Sequence, residues 1–144
     1  MAKYAGGCDH VHTHADAEPI DKHTCHCSVC KKVTGQLTTE VIFFNHADLA
    51  VDNPGGLNRV PFNADNPDGP LEICVCADCG TPIMLDDKER RIKAVIPNLM
   101  GFDPDSLKTT YHAFFDPNIG VPWPNDGRPV HPGLHPDFVW PTPS

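Results

Sequence analysis

The sequence has no long apolar run, so no segment is suited to crossing a bilayer as a helix. It has no basic run longer than Lys31-Lys32 or Arg90-Arg91, and 19 acidic residues outnumber 11 basic ones for a net charge of −8. A nucleic-acid surface needs a basic face to neutralise phosphates, and this balance argues against one. The opening residues, Met-Ala-Lys-Tyr-Ala-Gly-Gly-Cys, lack the apolar stretch of an export signal. The expectation is a cytoplasmic protein with neither membrane nor nucleic-acid partners, in a reducing compartment where disulfides are disfavoured. Helix signals are scarce as well, because the 16 prolines each remove a backbone donor and interrupt helix interiors.

What is present is enough apolar material, 40% of 144 residues, for one modest core, and we expect a single domain over 1–144. Residues 11–24 mix polar and apolar side chains loosely and read as one or two weak strands. Residues 37–44 (Leu-Thr-Thr-Glu-Val-Ile-Phe-Phe) are β-branched and aromatic, a good strand. Asn53-Pro54-Gly55-Gly56 is a turn, and 71–76 alternates into a cysteine pair. Residues 83–85 and 91–96 flank Asp86-Asp87-Lys88-Glu89 as a hairpin tip, and 110–115 is a further strand. The best place for a short helix is just after Cys30. From Pro117 to Ser144, eight prolines and three glycines forbid a regular element. With Trp123, Phe138 and Trp140 available to pack, this stretch reads as an irregular strap over the core. The fold class is therefore mainly β.

The seven cysteines are odd in number, which suits metal ligation better than pairing. Cys76-x-x-Cys79-Gly80 is a zinc-knuckle turn: two sulfurs converge, and Gly80 can take the positive φ that a side chain would resist. A tetrahedral site needs two more ligands. In an extended segment Cys8 and His10 face the same side, and Gly6 and Gly7 let the backbone approach the metal. The expected closed site is Cys8, His10, Cys76 and Cys79, with His12 or His14 as alternatives to His10. Cys74 reads as a packed strand residue, and His112 as a core or surface histidine. A second cluster, Cys25-His26-Cys27-Ser28-Val29-Cys30, offers three thiolates. Left with a vacancy it is the pattern of a reactive zinc; closed by His23 or His26 it is a second structural one. A thiolate-rich zinc is poorly suited to acidifying water but well suited to holding an incoming thiol as thiolate.

Cys25-His26-Cys27-Ser28-x-Cys30-Lys31-Lys32-x-Thr34-Gly35 followed by Cys76-x-x-Cys79-Gly80-Thr81-Pro82 resembles the glutathione-dependent formaldehyde-activating enzyme family, which includes centromere protein V. Gly6-Gly7-Cys8, His112, and Pro122-Trp123 with Asp126-Gly127-x-Pro129 extend the resemblance over about residues 6–132. The resemblance implies a β-tent of several coiled antiparallel sheets with two zinc sites. One is structural, matching Cys8, His10, Cys76 and Cys79, although the family usually has cysteine where this chain has His10. The other is catalytic and labile, matching Cys25, Cys27 and Cys30. It further implies a carbon–sulfur lyase-type activity on glutathione, or another small thiol, and an aldehyde such as formaldehyde. The competing reading is a non-catalytic zinc-stabilised module, a thiol or aldehyde carrier or a protein-interaction domain.

Overall fold

The structure, a computed structural model, describes residues 3–26, 38–63, 65–116, 118 and 123–143. The scarcity of helix signals is realised: the described residues form ten strands and only two single-turn 3₁₀ helices, His46–Asp48 and Pro54–Gly56. The strands are β1 (Tyr4–Gly7), β2 (His12–Ala15), β3 (Asp21–Cys25), β4 (Thr39–Asn45), β5 (Leu49–Val51), β6 (Leu57–Pro61), β7 (Leu71–Cys76), β8 (Pro82–Asp87), β9 (Ile92–Val95) and β10 (Tyr111–Ala113). They build two sheets. The smaller has the order β1-β2-β5, and the larger β10-β3-β4-β9-β8-β7-β6.

The run Val-Ile-Phe-Phe in β4 is buried at four successive positions, as befits a strand covered on both faces. Ile42 and Phe44 join Leu49, Ile83, Leu85 and Ile92 in a core with no more than 2% exposure at any of them. β6 lies at one edge of the larger sheet and is largely exposed, which is why its pattern carries no alternation. The opposite edge is different in kind. β10 pairs with β3 in parallel, Tyr111 opposite His23 and Ala113 opposite Cys25. The larger sheet is thus mixed, where the resemblance implied antiparallel pairing throughout.

The hairpin tip lies two residues further along the chain than expected. Asp86 and Asp87 belong to β8 and are buried, and the turn is left to residues 88–91. Asp87 receives the Arg91 side chain at 2.7 Å together with the backbone N–H groups of Glu89 and Arg91. The expected helix after Cys30 falls outside the described residues. Among those described, residues 123–143 contain no strand, only the bridge of Val130 to His112, and they pack along the larger sheet. Phe138 and Trp140 rest on Phe43 with ring centroids 5.8 and 5.9 Å away, and Arg91 sits 4.3 Å over the Trp140 ring.

Candidate functional site

The β1–β2 turn and the β7–β8 turn, one from each sheet, bring four donors together. The ligand atoms of Cys8, His10, Cys76 and Cys79 all lie within 4.8 Å of one another. A zinc tetrahedron with Zn–S near 2.3 Å separates its ligands by about 3.3–3.8 Å, so this group closes on an ion with a contraction of about 1 Å. Three thiolates and an imidazole are a donor set suited to zinc. His12 is engaged elsewhere, with its Nδ1 2.9 Å from Asp52, and His14 lies exposed on β2 paired opposite Ala5.

The reason His10 joins Cys8 differs from the expected one. Residues 8–11 are not extended; they form a tight turn closed by the Cys8 N–H on the Val11 carbonyl at 2.8 Å. The glycines serve packing. A Cβ at Gly7, whose φ is +102°, would fall 2.2 Å from the Val11 oxygen, and one at Gly6 would enter the Phe102 ring. Gly101, which the sequence did not single out, stands backbone to backbone with Gly7, and a Cβ there would lie 2.3 Å from the Gly7 oxygen. No motif marks it; its signal is spatial. In the second turn the expectation holds. Gly80 adopts φ +75° and returns its N–H to the Cys76 carbonyl at 2.9 Å. A register shift between Cys74 and Val75 precedes it, bending the strand into the turn.

The thiols in this group are unequal. Hydrogen bonds from the Thr81 hydroxyl, at 3.1 Å, and from its N–H bring Cys79 down to about 6, with His10 adding to the effect. His10 is raised in turn, chiefly by its bond to Cys79. Desolvation lifts Cys8. Cys74 is fully buried and stands outside the group, pushed to about 11 by burial, in keeping with a packed strand residue.

Of the second cluster, Cys25 and His26 are described, whereas Cys27 and Cys30 lie outside the described residues. Cys25 ends β3 and is 2% exposed. Beyond it the His26 N–H continues the pairing to the Ala113 carbonyl at 3.0 Å. Neither histidine considered as a fourth ligand is idle. His23 Nδ1 is 2.6 Å from Asp21, whose other oxygen accepts from the Tyr111 hydroxyl at 2.7 Å. His26 Nε2 is 2.9 Å from His112 Nδ1, and His112 Nε2 is 2.9 Å from Asp126. Arg128 binds Asp126 and also reaches the Thr109 hydroxyl at 2.6 Å. That guanidinium, aided by His112, holds the Asp126 carboxyl well below the usual carboxylate range. His112, expected to be a core or surface histidine, is 5% exposed and links the cysteine cluster to the C-terminal stretch.

Against known proteins, no curated protein matches the sequence. A crystal structure of a Rhodobacter sphaeroides protein shares the fold, with 19% identity, a TM-score of 0.50, and coverage of 76% of this chain and 99% of that one. The family model "Glutathione-dependent formaldehyde-activating enzyme" matches residues 2–116, and this span holds both cysteine clusters. The chain therefore belongs to the glutathione-dependent formaldehyde-activating enzyme family.

Proposed function

We propose that the chain is a zinc-dependent carbon–sulfur lyase-type enzyme that activates a small thiol, glutathione or a relative of it, for addition to an aldehyde such as formaldehyde. The observation carrying this reading is the intact Cys25-His26-Cys27-x-x-Cys30 motif inside the family match. Cys8, His10, Cys76 and Cys79 would hold one zinc in a closed, structural site. Cys25, Cys27 and Cys30 would hold a second. That ion would supply the acidity that keeps a thiol ionised at neutral pH.

The addition balances simply. Sulfur forms a bond to the carbonyl carbon, the π pair moves to oxygen, and that oxygen takes up a proton; nothing is oxidised or reduced. The contribution of this chain's own residues is to position. Asp126, itself gripped by Arg128, orients His112, and His112 in turn holds the ring of His26, the residue that follows Cys25. An imidazole pair tied to a carboxylate would be able to pass on the proton that the addition requires.

The test is the rate of S-hydroxymethylglutathione formation, which should be metal-dependent and lost in Cys27→Ala. Glutathione and formaldehyde combine without a catalyst, so the comparison is with that background. Saturable glutathione binding with no rate above background would instead establish the non-catalytic carrier.

A further inference from the structure

A cavity of about 420 Å³ opens beside Cys25, on the face of the larger sheet that β3 and β4 share with β7 and β8. Its walls are apolar and aromatic: Val41, Phe43, Phe62, Leu85, Phe114 and Trp140. Asn63 and Asn66 add polar groups, and His23 is already paired with Asp21. No Asp, Glu, Lys or Arg lines it among the described residues. Its size falls in the range of small-molecule sites, which are mostly apolar with a few polar groups.

Neither substrate of the formaldehyde reaction fits this space. Formaldehyde needs little more room than a water molecule, roughly 30 Å³. Glutathione carries two carboxylates and an ammonium, and burying those without charged partners is costly. What the cavity suits is a ring or a branched alkyl group of comparable bulk.

A second observation comes from the backbone. Phe114, just past β10, has φ +55°, a conformation that bulky residues avoid. It lines the cavity and remains 38% exposed, while Trp140 is 39% exposed. Strain is thus held in place to keep an aromatic side chain at the cavity rather than in the core.

We propose that this cavity seats the apolar body of the aldehyde, so that the carbonyl substrate of this chain is an aromatic or branched-alkyl aldehyde in preference to formaldehyde. The identity of the group as an aldehyde rests on the reaction proposed above; the cavity's preference for an apolar ring does not. Cys25 lines the cavity, so a carbonyl on a seated ring would come near that cysteine; addition of a thiolate to its carbon, with protonation of the oxygen, would give a hemithioacetal.

Benzyl alcohol is the probe, because it carries the ring but neither thiol nor carbonyl. In a Trp123→Phe background Trp140 is the one remaining indole of the two, and its emission reports the cavity. The expected result is a saturable change, unaffected by millimolar glutathione and retained in Cys27→Ser. Phe114→Asn relieves the strain, because asparagine tolerates positive φ, and removes the ring. It should keep or raise Tm while binding benzyl alcohol at least ten-fold more weakly. Zinc-loaded wild-type protein should show a kcat/KM for benzaldehyde at least ten-fold above that for formaldehyde, with Phe114→Asn abolishing the preference. No saturable change, equal binding by Phe114→Asn, or formaldehyde turnover at equal or greater efficiency overturns the inference. Binding of the probe without turnover of either aldehyde supports the cavity as a ring site and sinks the enzymatic reading instead.

Discussion

His10 reaches the metal-ligand group through a four-residue turn, not through the alternation of an extended segment. The candidate ligands were legible because Cys-x-x-Cys-Gly has one compact local geometry; the contortion at Gly7 was not, because it depends on Gly101, which is remote in sequence. His112 was legible only as one of the residues that carry the resemblance, and its residue type alone read as a core or surface histidine. A lone histidine in a strand has no local sign of function, and its meaning comes from His26 and Asp126, brought to it by tertiary structure. Loss of its imidazole leaves His26 without that partner while touching none of the cysteines. His112→Ala should therefore lower kcat for the thiol–aldehyde addition by about 10–100-fold. KM and zinc content should stay close to wild type, read by steady-state kinetics and metal analysis. A parallel fall in zinc stoichiometry would show instead that His112 supports the metal site itself.

At the level of elements, β4 was legible from its β-branched and aromatic run and β7 from its alternation, while β10 falls inside the expected strand at 110–115. β1, β5 and β6 were not: one contains Gly-Gly, one has three residues, and one is an exposed edge whose side chains bury little. The β8–β9 turn was placed two residues too early in the chain because Asp86-Asp87 looks solvated. Asp87 is instead buried against Arg91. Burial works to raise its carboxyl, but the Arg91 bond and two backbone N–H groups outweigh it, and the net shift is downward. A carboxyl depressed in the folded state stabilises fully above its unfolded value, near 4, and that contribution is lost as pH falls through the folded value. Asp87→Asn should cost about 1.5–3 kcal/mol at pH 7. In denaturant melts followed from pH 7 toward pH 2, wild type should converge on the variant. A constant gap down to pH 2 would remove Asp87 from the acid sensitivity. Because Arg91 also stacks on Trp140, the same change should loosen the C-terminal stretch.

Across the whole molecule, the Cys8, His10, Cys76 and Cys79 group spans the two sheets, since β1 and β2 belong to one and β7 and β8 to the other. A metal held there acts as a clamp between sheets, and stripping it removes the clamp without touching the central strands. Chelation, or Cys76→Ser, should lower Tm and speed amide exchange first in β1, β2 and β5, while β4, β8 and β9 keep their protection in hydrogen-exchange mass spectrometry. Uniform loss of protection would mean the group governs the entire fold. A different consequence follows from the parallel pairing of β10 with β3. The His26–His112 contact joins residues 86 positions apart, and contacts so distant in the chain form late. During synthesis, the cysteine cluster leaves the ribosome long before the strand that backs it and before Phe114. A nascent chain, or one clipped before β10, thus carries the Cys25 end of β3 with neither its parallel neighbour nor the imidazole that meets His26.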